Sequence, residues 1–268
     1  MSNILGDLSA PSLVSAIEGN LFALMPAFSK WPSAEVYDEA EIAWSMTDIP
    51  FPVFNSIMRA RLAPERIDAV IESITEQAKS RNVPLLWWTG PATQPTDLGR
   101  YLERYGFFST GQIPGMAVDL ENLNEHPSMP NGFTIQQVKD NGALKQWSQV
   151  CATGFGMPDF AGEGFYDFMC HVDKDTVRAY IGWLNGKPVA TSLLYLAAGV
   201  AGIYNVATVP EARRKGIGAR MTDLPLLEVR AMGYKVGILH GSEMGAGVYR
   251  SIGFQEYCKI GQYIWSPQ

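Results

Sequence analysis

At 268 residues the chain has room for one large domain or two ordinary ones, and 47% hydrophobic against 18% charged residues describes a globular protein with a substantial core. A formal net charge of −6 argues against a broad nucleic-acid-binding surface. Cys151, Cys170 and Cys258 form no even disulfide framework and show no metal spacing, so no metal is expected. The first Lys or Arg is Lys30, no run approaches the length of a membrane span, and the expectation is a cytoplasmic protein without a membrane segment.

Residues 1–32 read as helical, with Ser12 as a cap for Leu13, Ile17, Leu21 and Leu24 and an end near Pro26. Ala34–Tyr37 and Ile42–Met46 are short strand candidates, and Asp48–Pro52 is a loop. A strand-like run, Val53–Leu62, precedes Pro64, which opens a helix with Ile67, Val70, Ile71, Ile74 and Ala78 on its apolar face. Leu85–Thr89 reads as a buried strand, Gly90–Pro95 as loop, and Asp97 as the cap of a short helix to Tyr105. Gly106-Phe107-Phe108 and Met116–Leu120 follow, and Glu121–Gly132 is polar and unpatterned, as a linker would be.

Beyond it come a strand Phe133–Val138 and helices at Asn141–Phe155 and Gly164–Val172. Val177–Leu184 and Val189–Leu196 form a hairpin through Asn185-Gly186, a strong turn signal. A strand Gly202–Val209 leads to the basic, glycine-containing stretch Arg213-Arg214-Lys215-Gly216-Ile217-Gly218, which opens a helix to Met232 expected to kink at Pro225. Strand Val236–His240, helix Ala246–Ile252 and two final strands complete the chain.

A strand, a glycine turn and a helix start make an anion site. The first N–H groups of a helix lack intrahelical partners, the helix dipole adds positive character, and glycines let a phosphate approach the backbone. The spacing is neither the phosphate loop of the ATPases nor the dinucleotide fingerprint.

Arg213-x-x-Gly216-x-Gly218 resembles the [QR]-x-x-G-x-[GA] signature of the GCN5-related N-acetyltransferases, the GNAT superfamily, and Tyr249-x-x-x-Gly253-Phe254 resembles that family's later Tyr-x-x-x-Gly-Phe element. The likeness runs from Phe133 to Trp265. It implies acetyl-coenzyme A (acetyl-CoA) as cosubstrate, a small-molecule amine as acceptor, and a monomer or homodimer. Ala207, Thr208 and Val209 would lie on the pantetheine arm, between two parallel strands that splay apart. Arg214, Lys215, Gly216, Ile217, Gly218 and Ala219 would hold the pyrophosphate, Ser242 would touch the arm where the family often has Asn, and Tyr249 would be the general acid toward the sulfur. Gly245 replaces the usual Ala and is expected to loosen its helix. The resemblance assigns no general base: Glu163, Asp167, His171 and His240 are the candidates, with water chains as another route. The acceptor pocket is expected along the aromatic stretch from Phe155 to His171.

The first half repeats the order of the second. Phe54-Asn55 sits like Tyr204-Asn205, Gly106-Phe107 sits like Gly253-Phe254, and helix, strand and helix fall between the marks in both. The resulting expectation is an α/β mixed-sheet protein of two tandem GNAT-like domains, a degenerate copy over 1–125 and a catalytic copy over 131–268. In the first copy Ala63–Asp68 is expected opposite Arg213–Gly218, and Leu102 opposite Tyr249. The favoured function is acetyl-CoA-dependent N-acetyl transfer. The alternative is a noncatalytic acyl-CoA-binding or interaction protein with the same fold.

Overall fold

The computed structural model describes residues 4–124 and 129–267. In chain order its elements are α1 (Ala10–Phe22), α2 (Met25–Phe28), β1 (Glu35–Asp38), β2 (Ile42–Met46), β3 (Ser56–Ala60), α3 (Ile67–Arg81), β4 (Leu85–Thr89), α4 (Leu98–Arg104) and β5 (Phe108–Asp119). There follow β6 (Phe133–Gln137), α5 (Asn141–Phe155), α6 (Asp159–His171), β7 (Val177–Leu184), β8 (Lys187–Ala197), β9 (Val200–Thr208), α7 (Ile217–Ala231), β10 (Val236–His240), α8 (Glu243–Ile252) and β11 (Gln255–Trp265). Of the expected linker, residues 125–128 lie outside the described residues.

The chain divides into two compact units, and neither is continuous in sequence. The larger comprises Met1–Asn20 and Gly115–Tyr257; the smaller comprises Leu21–Pro114 and Cys258–Gln268. In the larger unit the strands run β5-β10-β9-β8-β7-β6. Here β9 and β10 are parallel while β6, β7 and β8 form an antiparallel meander. Its core gathers Leu194, Ile203, Ile217, Met221, Leu239, Ile252 and Phe254. The smaller unit runs β1-β2-β3-β4-β11, with β3 and β4 parallel. Ile57, Ile67, Ile71, Trp87, Leu102 and Phe107 fill its core.

Helix α5 and the β7–β8 hairpin form where the sequence places them. Asp140 caps α5 by accepting from Ala143 N–H at 2.9 Å, and Asn185 and Gly186 take φ of 51° and 77°, as a tight hairpin turn demands. Other elements differ. Helix α1 starts before Ser12, where Ser9 N–H bonds Asp7 Oδ1 at 2.9 Å. The run Val53–Leu62 is a 3-10 turn at Pro52–Phe54 followed by β3. Helix α6 begins at Asp159, five residues ahead of expectation. The reason is packing: a Cβ on Gly162 would meet Ala152 Cβ at 3.2 Å, so that glycine marks close contact with α5 and not a loop. Helix α7 agrees with expectation, running from Ile217 through Pro225 to Ala231. The two segments expected around Gly106–Leu120 form one long strand, β5, as do the two expected final strands, β11.

Candidate functional site

In the larger unit β9 and β10 pair at Ala201↔Gly237, Gly202↔Ile238 and Ile203↔Leu239, and there the pairing stops while β9 runs on to Thr208. A bulge lies just beyond the fork. The β8–β9 register shifts between Thr191 and Leu193, Asn205 takes φ of 50°, and Thr191 Oγ1 donates to the Asn205 carbonyl at 2.8 Å. Asn205 Nδ2 lies 3.5 Å from Cys151 Sγ, whose thiol burial pushes up to about 11. Val209 N–H donates to the Val189 carbonyl at 2.9 Å. Backbone groups alternate along a strand, so Thr208 N–H and the Val206 carbonyl face the opposite edge, which β10 has left. From Tyr204 to Thr208 that edge spans roughly 13 Å.

The edge leads to the start of α7. After the 3-10 turn Pro210–Ala212, Arg214 and Gly216 adopt φ of 60° and 75°, turning successive N–H groups toward one concavity. Gly216 is the N-cap of α7 and no side chain caps it, so the first-turn N–H groups keep their anion-binding capacity. A Cβ at Gly218 would touch nothing within 4 Å. The chain's own packing therefore does not require glycine there, and the vacant space suits a ligand that approaches the backbone. Arg213 does something else, since its Nε donates to the Thr208 carbonyl at 3.0 Å and its Nη2 to the Gly154 carbonyl at 2.8 Å. It ties the end of β9 to the end of α5.

These elements enclose a cleft of about 450 Å³. Of the residues expected from sequence, Ala207, Thr208, Arg214, Gly216, Ile217, Gly218, Ala219, Ser242 and Tyr249 line it. Val209 and Lys215 do not; Val209 is buried with its N–H turned to β8. Phe155, expected in the acceptor pocket, is on the wall, and sequence reasoning missed Gly154, Met244 and Val248 there. No local pattern marks them, because packing brings the end of α5 and the outer face of α8 to the cleft. Gly154 is small for a reason: a Cβ there would fall 2.8 Å from Ala207 Cβ and 3.2 Å from Thr208 N.

On α8, Ser242 Oγ accepts from Gly245 N–H at 3.2 Å and caps the helix, leaving its hydroxyl proton for a partner in the cleft. Tyr249 is 9% exposed and packs edge-on against Phe254. Burial pushes its phenol up to about 12, so it stays protonated at neutral pH. Gly245 does not loosen the helix: a Cβ there would lie 2.7 Å from Tyr249 Cε2, so the glycine makes room for the ring.

At the fork His240 ends β10. Its Nε2 is buried without a partner, and its ring centroid is 5.9 Å from that of Tyr204. Tyr204 Oη donates to Asn20 Oδ1 at 2.8 Å, and Asn20 Nδ2 donates to the Ala197 carbonyl at 3.0 Å. Burial lowers His240 to about 4, so the imidazole is neutral at pH 7. His240 does not line the cleft, and neither do Glu163, Asp167 and His171 on α6; His171 Nδ1 is 2.8 Å from the Asp167 carbonyl of its own helix.

The smaller unit repeats the layout without the cradle. Its parallel pairing ends at Ile57↔Trp87 as the other ends at Ile203↔Leu239, and the 3-10 turn Pro64–Arg66 stands where Pro210–Ala212 stands. From there α3 starts at once at Ile67, whereas Arg213, Arg214, Lys215 and Gly216 intervene before α7. The expected alignment of Ala63–Asp68 with Arg213–Gly218 is therefore replaced by another. The glycine loop has no counterpart, and Glu65 corresponds to Glu211 in the turn.

Residues 140–257 match the family model described as an acetyltransferase (GNAT) domain. The fold is similar to that of a GCN5-related N-acetyltransferase from Kribbella flavida, with 16% identity over 98% of this chain and 97% of that one and a TM-score of 0.68. It is also similar to one from Sphaerobacter thermophilus, with 15% identity, 99% and 95% coverage and a TM-score of 0.61. A tandem GNAT protein from the clavulanic acid biosynthesis pathway matches with 13% identity, 97% coverage of both chains and a TM-score of 0.58. No curated protein matches the chain in sequence. The fold is that of two GNAT-like domains in tandem. Among the described residues no helix is long and apolar enough to cross a membrane, and no three metal-ligating side chains converge.

Proposed function

We propose that the chain is an acetyl-CoA-dependent N-acetyltransferase acting on a small-molecule amine, with one centre in the larger unit. The observation that carries this reading is the unpaired edge of β9 leading to an uncapped, glycine-lined helix start. That geometry fits an extended arm ending in a diphosphate. Thr208 N–H and the Val206 carbonyl would pair with the amides of the arm, while the first turn of α7 and Arg214 would take the phosphates. Ala207 and Ser242 would border the arm, with Phe155, Met244 and Val248 as apolar walls.

Bound acetyl-CoA would supply an acyl group activated as a thioester. The residues around it would do the rest. Tyr249 holds a proton in the cleft and would deliver it to the departing sulfur. None of the four candidate bases lines the cleft, so the proton that the attacking amine gives up would pass to water. The wall of low-polarity side chains would strengthen each of these interactions by excluding water. We assign the sequence copies to 1–125 and 131–268, with the second as catalytic.

The test is calorimetric titration with coenzyme A, followed by thiol release from acetyl-CoA in the presence of a panel of primary amines. Binding near one per chain with amine-dependent thiol release is expected. Binding without any release would make the protein a noncatalytic acyl-CoA binder, and absence of binding would sink the assignment of the cleft.

A further inference from the structure

The smaller unit has the same fork as the larger, and there the free strand edge is not free. Beyond the last β3–β4 pair, Ile57↔Trp87, the edge of β3 meets Gln94. Gln94 N–H donates to the Ala60 carbonyl at 3.0 Å, and Leu62 N–H donates to the Gln94 carbonyl at 2.9 Å. Between them Arg61 N–H turns the other way and donates to the Glu41 carbonyl at 2.6 Å. The alternation shows that Gln94 sits on the side toward β4, within the fork. By position from the fork and from the following 3-10 turn, Ala60 and Leu62 correspond to Val206 and Thr208.

The segment that delivers Gln94 is extra chain. Residues 90–97 join β4 to α4, whereas Gly241 and Ser242 alone join β10 to α8. The insert is built to hold its shape. Thr93 N–H donates to the Gly90 carbonyl at 3.0 Å, and Gly90 N–H donates to Thr93 Oγ1 at 2.8 Å. Thr93 is buried, and Leu98 N–H donates back to the Pro95 carbonyl at 3.1 Å, where α4 begins.

We infer that residues 90–95 are a built-in occupant of the smaller unit's acyl-carrier slot, in which the N–H and the carbonyl of Gln94 make the two hydrogen bonds that an extended arm would make with successive amides. The two groups come from consecutive peptide units of the insert and face one strand edge, so the chain supplies its own substitute. The unit is thereby closed twice, by loss of the four-residue glycine loop and by occupation of the strand edge. An unsatisfied strand edge at that depth is costly, and the insert removes the cost without a ligand. The inference rests on the reading of the β9 edge as the seat of the arm.

Residue-resolved hydrogen exchange on the full chain, with and without saturating coenzyme A, tests it. In the free protein the Leu62 and Gln94 amides should exchange at least ~10²-fold slower than open-chain amides, and coenzyme A should leave both rates unchanged. The Thr208 amide should slow on addition of coenzyme A. Thr93→Ala, which removes the bond holding the turn, should speed Leu62 exchange by about tenfold or more while amides of β2 keep their rates. Exchange of Leu62 or Gln94 near the open-chain rate, or slowing of either by coenzyme A with a stoichiometry near two, would overturn the inference while leaving the transferase reading intact. If Thr208 does not respond and no coenzyme A binds, the transferase reading falls, and protection of Leu62 and Gln94 in the free protein still decides whether the insert holds that edge.

Discussion

At the scale of single residues, Tyr249 combines burial, a phenol held protonated and a place on the cleft wall. Tyr249→Phe should lower kcat by about 10²–10⁴-fold and leave the Kd for acetyl-CoA nearly unchanged; equal kcat values in a chemistry-limited assay would reduce the residue to packing. Gly245→Ala is a subtler probe of the same ring. Its new methyl would come within 2.7 Å of Tyr249 Cε2 and push the ring aside, so kcat should fall while the helix content by circular dichroism stays constant. His240 makes a prediction about pH. Burial lowers its pKa from 6.5 to about 4 in the folded chain, with no charged neighbour as a cause. Between those values the unfolded chain binds the additional proton. The stabilisation is therefore complete above the unfolded pKa and disappears as pH falls toward 4, a change on the order of 3 kcal/mol. The ring of Tyr204 on β9 lies against the imidazole. Urea unfolding of wild type and His240→Gln at neutral pH and near pH ~4.5 should show a shallower acid loss in the variant.

At the scale of elements, the site depends on how a strand hands over to a helix. The bulge at Asn205 follows the end of the β9–β10 pairing, the Arg213 guanidinium clamps the strand end, and the turn at Arg214 and Gly216 leads into the first turn of α7. Gly218→Glu should abolish coenzyme A binding in calorimetry while thermal unfolding stays close to wild type. Its side chain enters vacant space in the free protein and would bring bulk and negative charge to the phosphate seat. Retained binding would place the phosphates elsewhere. The elements that form as the sequence suggests are those with local signals, such as the Asp140 cap of α5 and the Asn185-Gly186 turn. Those that differ carry glycines and prolines whose meaning is not local. Gly162, ahead of the expected helix start, is a helix-packing contact, and β5 runs through Gly111 and Pro114.

At the scale of the whole molecule, the sequence halves and the compact units do not coincide. The larger unit takes Gly115–Asp119 from the first half as the neighbour of β10, paired from Val236↔Asp119 to His240↔Gly115, and takes α1 with its Asn20 contact to Tyr204. Residues 131–268 expressed alone would lack both and leave β10 with an open edge. That fragment should be poorly soluble or melt well below the full chain in scanning calorimetry; a fragment as stable as the full chain would mean that these contacts are dispensable. Local order, the glycine signature and the tyrosine element are legible in the sequence because each is a pattern among near neighbours, and the tandem repeat because the same order of elements recurs. The signature falls at the start of α7 beside the cleft, since helix starts and glycine turns are properties of a few consecutive residues. Only the tertiary structure could show that Arg213 is a clamp, that Gly154, Met244 and Val248 reach the cleft, and that β5 and β11 each contribute residues to both units. Only it could show, too, that Gln94 fills the edge of β3. Those facts arise from pairing between segments far apart in the chain, and hydrogen-bonding edges carry no side-chain pattern by which a sequence could announce them.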